Sequence, residues 1–195
     1  VPLLLGAPPG GAAGGSLAEF SGLTFEARLR VLAADGRRLA ETTGPLLFTH
    51  FGVSGPAALD ISRHWLRARL ESPGAPPTLA LGHPRFAAPE EADAWLRGEA
   101  ARHPRRAIAT ALAELWPERF ARAIARGAGA EGAFAEFPRA RRLELARRLA
   151  ALPLDVTGDR GYAFAETTAG GVDLREIEPR RMKSRIQKHL YLCGE

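Results

Sequence analysis

The sequence predicts an α+β fold, and three observations lead to that prediction. Residues 1–84 contain runs in which apolar and polar side chains alternate, which is typical of half-buried strands. Residues 85–152 show the apolar spacing of helices, with prolines at positions that suit a first helical turn. Residues 153–195 return to short strand-like runs. We therefore expect a β-rich region, a helical region and a returning segment with these boundaries.

The β-rich region contains one clear strand and a hairpin turn. Residues 24–31 place four apolar side chains on one side and four polar ones on the other, which is a period of two. Asp35-Gly36 then provides the residues that a tight hairpin turn requires. The Gly44-Pro45 pair breaks the pattern that follows. Further strands are therefore predicted at 37–43, 46–51 and 78–81.

One helix interrupts the β-rich region, and four more fill the helical region. Pro56 suits a first helical position, and Ser54 or Gly55 can cap that helix. Pro73-Gly74 ends it, so we expect a helix at about 56–70. The helical region is predicted to contain helices at 90–102, 104–116, 117–126 and 138–152. Strand-like runs follow at 154–157, 162–168 and 190–193.

The letters GAGAEG at 127–132 match the glycine fingerprint G-x-G-x-x-G of dinucleotide-binding sites. That fingerprint works only where a strand enters the glycine turn and a helix leaves it. Here the preceding stretch, ERFARAIAR, has helical spacing. We therefore interpret Gly127 as a helix C-cap and the rest as a loop between helices, and we expect no nucleotide there.

The composition indicates which partners and which cellular compartment to expect. The chain has a formal charge of +5, but 25 of its 27 basic residues are arginines, a bias that resembles coding preference. Charges of both signs alternate through 85–148, so the composition argues against nucleic-acid binding. No apolar run is long enough for a membrane span, and we expect no membrane contact. A single cysteine, Cys193, excludes an internal disulfide and favours a cytoplasmic location.

The first candidate site lies in the stretch LLFTHFGVSGPAALDISRHW, where a strand ends just before a helix. Free N–H groups at a helix N-terminus attract anions or carbonyl oxygens, and His50 suits an acid, a base or a hydrogen-bond donor. The alternative is a structural histidine in a glycine-dependent turn. Ser54, His50 and Asp60 lack the G-x-S-x-G pattern of a hydrolase nucleophile. The five histidines lack metal-ligand spacing, so we predict no metal site.

The second candidate site lies near the end of the chain. Gly170-Gly171 allows a close backbone approach to a ligand, and LYLCGE reads as a buried strand that ends in glycine and a carboxylate. Ligands of open α/β sheets bind at such strand ends. A surface turn followed by a short strand is an equal alternative. Cys193 is interpreted as a small buried apolar residue.

Both segments resemble the paired motifs of a known family. GPLLFTHFGVSGPAALDISRHW, and TAGGVDLREIEPRRMKSR followed by LYLCGE, are similar to the BaiN-like NAD(P)/FAD-dependent flavoproteins, which include aminoacetone oxidases. The motifs stand in the family's order, so the resemblance covers most of the chain. It departs at Arg181, Ser184-Arg185 and His189, where the family usually has threonine, a Ser-Lys pair and glycine.

The resemblance implies a β-barrel-like subdomain with an inserted helical subdomain, followed by a fragment of a Rossmann-type FAD domain. It also implies that the N-terminal flavin-binding domain, which carries the family's glycine fingerprint, is missing from this chain and is its partner. The family continues after Gly-Glu with an aspartate-glycine segment, whereas this chain stops at Glu195. The chain opens on Val1 rather than methionine, which favours a truncated chain that is inactive alone.

The resemblance also assigns roles to residues. It implies FAD as the cofactor and NAD(P)H as a candidate reductant, with His50 as a candidate catalytic contact. The other residues of the first motif face the domain junction and form the substrate pocket: Thr49, Gly52, Ser54, Gly55 and Pro56. The residues of the second motif line the flavin: Thr168, Ala169, Gly170, Gly171, Val172, Gly194 and Glu195.

Two functions from different classes follow. The first is the insert of an FAD-dependent oxidoreductase, which caps the flavin and shapes the pocket for a small-molecule substrate. The second is an autonomous β-plus-helical module without enzymatic activity, whose basic face binds a protein or RNA.

Overall fold

The computed structural model describes residues 1–9, 16–166 and 170–193 of the chain. The chain forms two compact units, Val1–Ala165 and Glu166–Glu195. The first unit contains a sheet of seven strands, all paired antiparallel, in the order β6-β5-β2-β3-β4-β1-β7. Its strands are β1 (Leu3–Leu5), β2 (Thr24–Leu32), β3 (Arg38–Thr49), β4 (Gly52–Ser54), β5 (Thr78–Gly82), β6 (Leu152–Leu154) and β7 (Val156–Asp159).

The chain connectivity closes this sheet into a barrel. Strands β6 and β7 occupy opposite ends of the strand order, yet only Asp155 separates them in the chain. Two residue steps span at most about 7 Å, so the two edges of the sheet must meet. The backbone N–H of Gly6, just after β1, donates to the carbonyl of Asp155 at 2.9 Å and supports this closure. The predicted α+β class with a barrel-like sheet is therefore confirmed.

The observed extent of β3 contradicts the predicted break between two strands. The break expected at Gly44-Pro45 is wrong, because β3 runs from Arg38 to Thr49 without interruption. Strand β2 pairs with β3 along its length, and Pro45 lies opposite Glu26. On its other side β3 pairs with β4 only from Leu47 onward. Proline lacks a backbone donor, and a strand tolerates it where one edge has no strand neighbour.

Six α-helices accompany the sheet in the described residues. Helix α1 (Leu17–Phe20) is one turn, and α2 (Pro56–Glu71) begins with the proline at its first position, as predicted. Between β5 and β6 the chain forms α3 (Pro89–Arg102), α4 (Ile108–Leu112), α5 (Glu118–Gly127) and α6 (Arg139–Ala151). A 3-10 helix at Phe134–Glu136 separates α5 from α6. The domain boundaries at 84 and 152 stay a prediction.

The predicted helix at 104–116 is mostly absent. Within this range only α4 forms. The backbone at the start of the range does not make helical hydrogen bonds, because it bonds to the segment that precedes α6. The N–H of Ile108 donates to the carbonyl of Gly132, and the N–H of Phe134 donates to the carbonyl of Arg106. Ala107 and Ala133 thereby form an isolated β-bridge. These long-range bonds satisfy the backbone and remove the helical ones.

The glycine-rich stretch 127–132 follows α5, so no strand enters it and the dinucleotide fingerprint lacks its structural context. The predicted cap is displaced, since α5 includes Gly127 and Ala128 is its C-cap. Gly129 has a φ of +63°. Its N–H donates to Arg126, and the N–H of Ala130 donates to Ala125, which together form a Schellman motif.

A cluster of aromatic side chains joins the sheet to the helices. The ring of Phe48 on β3 lies 5.8 Å from Phe25 on β2, 6.0 Å from Phe20 on α1 and 5.4 Å from Phe120 on α5. Trp116 packs edge-on against Phe120 at 5.1 Å. Sheet and helix residues therefore share one hydrophobic core. Aromatic rings bury large apolar areas, and through Phe120 this cluster packs α5 against the sheet.

A polar contact joins the same two layers. Arg28 on β2 is 8% exposed, and its guanidinium donates to the backbone carbonyls of His83 and Pro84. The ring of His83 lies against Trp116, with its Nε2 3.1 Å from the carbonyl of Leu115. The N–H of Arg85 donates to its Nδ1 at 3.1 Å. Nδ1 thus accepts a hydrogen bond, which requires the neutral imidazole with its proton on Nε2.

The second unit contains little regular structure in its described part. A 3-10 helix at Leu174–Glu176 leads into β8 (Ile177–Glu178), which pairs with β9 (Lys183–Ser184). The strands predicted at 162–168 and 190–193 are wrong for the described residues. Tyr162–Phe164 is a 3-10 helix in the first unit, and in 190–193 only Tyr191 forms a bridge, with Lys183.

His83 generates a prediction about pH and stability. Burial, with the nearby charges of Arg85 and Arg28, lowers the pKa of His83 below its usual 6.5, although the bond to Leu115 opposes the shift. The unfolded state therefore binds a proton more readily than the folded state. The contribution of His83 to the free energy of unfolding is therefore fully present above about pH 6.5. It is lost as the pH drops toward the lowered pKa.

We expect His83→Gln to lose part of this pH dependence, measured as the difference in unfolding free energy between about pH 7.5 and about pH 5.5. His103→Gln, at an exposed position after α3, should retain it. Equal pH dependence in wild type and His83→Gln would contradict the assignment.

Candidate functional site

The first candidate site is the turn between β3 and β4, and hydrogen bonds of Thr49 close it. The Thr49 hydroxyl accepts from the N–H of Gly52 and donates to its carbonyl, both at 3.1 Å. His50 and Phe51 form the tip of the turn between these two residues. The predicted pocket residue Thr49 is therefore committed to holding the turn.

His50 is exposed at the tip of this turn. Its ring contacts the ring of Phe51 edge-on, with 5.1 Å between the ring centroids. In the described part of the chain the imidazole has no hydrogen-bond or ion-pair partner. Its two nitrogens are thus available to a ligand, which is what a proton-transfer or hydrogen-bonding role requires.

Gly52 is needed because the backbone of the neighbouring strand β1 approaches it closely. Gly52 pairs with Thr49 on one side and with Leu4 on the other. A Cβ built on Gly52 would lie 2.1 Å from the carbonyl oxygen of Leu3 and 2.9 Å from the nitrogen of Leu5. No side chain fits at that separation. The glycine of the motif therefore lets β1 reach β4 and places the turn at one end of the barrel.

Ser54, Gly55 and Pro56 lead from β4 into α2. Gly55 caps the helix with a φ of +85°, and its carbonyl accepts the first helical bond from the N–H of Leu59. A Cβ on Gly55 would lie 3.0 Å from the nitrogen of Leu47, so β3 approaches closely here as well. Ser54 does not cap the helix, because α2 has no side-chain cap. Ser54 pairs with Leu47 as the last residue of β4.

The structure adds an arginine that the motif analysis missed. The guanidinium of Arg160, just after β7, lies 4.5 Å from the ring centroid of Phe51 and 3.6 Å from that of Phe164. Its backbone N–H donates to Pro2. Two aromatic rings on its faces leave the N–H edges of a guanidinium free to donate. The sequence signal was the spacing of Arg160 and Phe164, four residues apart, but the contact with Phe51 depends on the fold.

The residues considered for a hydrolytic triad do not assemble. Asp60 pairs with Arg63 one turn along α2, at 3.4 Å. Within the described residues no hydrogen bond joins His50, Ser54 and Asp60. In the same residues no group of three or more histidine, cysteine, aspartate or glutamate side chains is placed to hold a metal ion.

The second candidate site is described only in part. Thr168, Ala169, Gly194 and Glu195 lie outside the described residues. Gly170 and Gly171 are exposed, with φ of +113° and +129°, and nothing lies within 4 Å of a Cβ built on either. Val172 follows and is half-exposed. Cys193 is exposed, so its interpretation as a buried apolar residue is wrong.

This open glycine pair fits a flavin in one respect. Two successive glycines in positive φ present bare backbone N–H and carbonyl groups, which a large planar ligand with phosphates can approach closely. No side chain of the described residues fills the space above them. Gly170 and Gly171 are therefore suited to hold part of an FAD.

No helix in the described residues is both long and apolar enough to cross a bilayer.

The first unit is an antiparallel barrel with helices inserted between β5 and β6, and it carries an exposed glycine-dependent turn at one end.

Comparison with known proteins agrees with this architecture. Residues 14–167 match the family model described as the HI0933-like protein barrel and H2TH domain. Two curated relatives are the ribosomal RNA dihydrouridine synthases of Escherichia coli and Haemophilus influenzae. Each is 30% identical over 151 residues, which cover 77% of this chain and 35% of the relative. The chain spans about a third of the length of the curated relatives it matches.

The chain belongs to the HI0933-like family, a branch of the HI0933/BaiN-like flavoproteins, because the family model matches most of its length. The resemblance inferred from the two sequence motifs is confirmed. The helical insertion corresponds to the H2TH part of the family description, and the closed sheet corresponds to its barrel.

The close approach of β1 to Gly52 leads to a prediction about stability. Gly52→Ala should lower the free energy of unfolding by about 3 kcal/mol or more, because the new methyl group collides with the backbone of Leu3. Gly36→Ala is the matched control, since Gly36 also has a positive φ but has no neighbour within 4 Å. It should cost about 1 kcal/mol of backbone strain. If denaturant unfolding shows the same loss of unfolding free energy for Gly52→Ala and Gly36→Ala, the close approach of β1 is not the cause.

Proposed function

We propose that this chain is the barrel and helical part of an FAD-dependent oxidoreductase, in which it covers the flavin and shapes the substrate pocket. One observation carries the proposal: the barrel matches a flavoprotein family, and the glycine-dependent turn between β3 and β4 lies at one end of it. The turn holds an unpartnered His50 at the barrel's end, in the motif that carries the family resemblance. Family membership supports the flavin, and the turn supports the location of the pocket.

The cofactor proposal rests on the second motif. Gly170 and Gly171 would hold FAD through their backbone groups, with Thr168, Ala169, Val172, Gly194 and Glu195 as further proposed contacts. When bound, the flavin supplies the transfer of an electron pair between a reductant and the substrate. NAD(P)H is the proposed reductant. The chain's own contribution is to bind, to orient and to exclude water.

His50 and Arg160 have complementary proposed roles in the pocket. His50 can hold or move a proton at its imidazole nitrogens, because no partner of the described residues occupies them. Arg160 keeps a fixed positive charge beside the same turn, since Phe51 and Phe164 hold its guanidinium in place. A substrate with a polar or anionic group would be oriented by this charge.

Exposed apolar side chains in the second unit support a further domain as its partner. Leu174 is 77% exposed, Ile186 is 70% exposed and Tyr191 is 62% exposed. A 24-residue stretch, 170–193, thus leaves large apolar groups uncovered, and water-exposed groups of this kind mark contact surfaces. We propose that a flavin-binding domain covers them.

The curated relatives suggest the substrate class. Their names describe synthesis of dihydrouridine in ribosomal RNA, which is the reduction of a uridine base. We propose a nucleotide of ribosomal RNA as the substrate of the flavoprotein to which this chain contributes. The small-molecule substrate and the autonomous interaction module remain the alternatives, and the comparisons do not favour the module.

Flavin content tests the cofactor. We expect the product of the complete open reading frame to retain FAD after desalting, seen as the visible flavin absorption bands. This 195-residue chain should retain little, because the proposed flavin-binding domain would supply the remaining flavin contacts. A complete product that retains no flavin would contradict the proposal.

The kinetic role of His50 is tested in the flavin-loaded complete protein. His50→Ala should slow reduction or reoxidation of the flavin by about 100-fold, the usual contribution of a positioned acid or base. Flavin content and thermal stability should not change, because the side chain is exposed. His103→Ala is the control. Wild-type rates of both half-reactions in His50→Ala would refute this role.

A further inference from the structure

The positive charge of the protein is concentrated on one stretch of the helical insertion. Residues 104–148 contain ten arginines and five glutamates, so this stretch has the formal charge of +5 that the whole chain has. The rest of the chain is balanced. Charge alternates in sign along the sequence, but the fold decides which arginines are neutralised.

Five arginines of this stretch are exposed and make no ion pair within the part of the chain that the structure describes: Arg105, Arg119, Arg126, Arg139 and Arg141. The other five each pair with a carboxylate. Arg106, for example, reaches both Glu99 and Glu114, and Arg142 reaches Asp93. The five arginines thus keep a positive charge that no carboxylate of the described residues pairs with.

Two of these arginines, Arg119 and Arg126, lie on α5, and a third, Arg141 on α6, contacts the turn that follows α5. Arg119 donates to the backbone carbonyl of Glu19 at 2.8 Å, and Arg141 donates to that of Gly129 at 2.9 Å. Arg126 lies in the last turn of α5, three residues before Gly129. A guanidinium held by a carbonyl is oriented but keeps its full charge and several free N–H donors. We call Arg119, Arg126 and Arg141 the α5 arginine surface.

The α5 arginine surface has a groove beside it. The groove has a volume of about 210 Å³ and lies between α1 and α5, lined by Glu19, Phe20, Arg119, Arg122, Ala123 and Arg126. Of the two nearby carboxylates, Glu118 pairs with Arg122, whereas within the described residues Glu19 accepts only from the backbone N–H of Ser16 and keeps its charge. From Arg119 to Arg126 the helix rises about 10 Å, close to three stacked nucleotides of one strand.

The apolar side of α5 argues against a membrane as the partner. Phe120, Ala121, Ala123, Ile124 and Ala125 are all buried in the core. A helix that binds a lipid surface needs apolar side chains to insert beside its cations. The α5 arginine surface offers cations alone, which suits a polyanion in water.

We propose that the α5 arginine surface binds the phosphate backbone of RNA and so holds the substrate RNA on the helical insertion. This inference rests on the proposed ribosomal RNA substrate and adds the residues that recognise its backbone. Phosphate contacts position an RNA without reading its sequence, so this surface contributes affinity, and the choice of nucleotide belongs to the pocket. The composition of the chain argued against nucleic acid because it averages paired and unpaired arginines.

RNA binding to the purified complete protein tests the proposal. The probe is a fluorescein-labelled RNA hairpin, and its anisotropy is measured over a series of salt concentrations. The variant is Arg119→Gln/Arg126→Gln/Arg141→Gln. The matched control is Arg63→Gln/Arg67→Gln/Arg97→Gln, which removes three exposed arginines that pair with Asp60, Glu71 and Asp93. Both triple variants change the net charge equally.

We expect the α5 variant to bind RNA about 10- to 100-fold more weakly at low salt, with a salt slope shallower by about 2. The control should remain within about 3-fold of wild type. Equal weakening of both variants would overturn the proposal, because the effect would then follow net charge. No RNA binding by wild type, or wild-type binding by the α5 variant, would also overturn it.

Flavin absorption of the same samples separates this test from the proposed function. The α5 variant should keep its flavin, since its arginines lie in the helical insertion. Weak RNA binding with flavin retained supports the surface, whereas loss of flavin in wild type speaks against the flavoprotein proposal alone.

Discussion

The aromatic cluster around Phe48 is the contact on which the rest of the first unit depends. Its rings come from β2, β3, α1 and α5, so the barrel and the helical insertion share one core instead of folding separately. Burying several aromatic rings supplies most of the free energy available at such a junction. Arg28 holds the loop after β5 through the carbonyls of His83 and Pro84, and His83 in turn contacts Leu115 and Trp116 of the helical insertion. The helices are thereby held at a defined place on the sheet.

The candidate pocket depends on backbone geometry more than on any side chain. The backbone of β1 lies beside Gly52 at a separation that excludes a Cβ, and the hydroxyl of Thr49 closes the turn by hydrogen bonds to Gly52. The tip of this turn presents His50 and Phe51. Most residues of the motif therefore build the turn, and His50 is left free for chemistry. A motif of this kind identifies a family reliably because its glycines and threonine serve geometry that few other residues permit.

Ion pairing divides the arginines into two groups that composition cannot distinguish. Many pair with a carboxylate one turn away on the same helix, such as Arg67 with Glu71, and these contribute little beyond solubility. On the α5 arginine surface, Arg119 and Arg141 donate to backbone carbonyls and keep their charge. The difference arises because Glu19 reaches Arg119, and Gly129 reaches Arg141, only in the folded chain. Electrostatic function thus follows the placement of neutralising partners as well as the count of charges.

Local sequence patterns determined the elements whose cause is local. The alternation in 24–31 predicted β2, Pro56 predicted the start of α2, and the two glycine-containing motifs predicted the flavoprotein family. Tertiary structure decided what depends on distant partners. It kept β3 continuous through Pro45, shortened the helix at 104–116 and brought Arg160 between Phe51 and Phe164. Periodicity and capping act within one or two turns of chain, whereas barrel closure and stacking need residues about a hundred positions apart, and no local pattern encodes those.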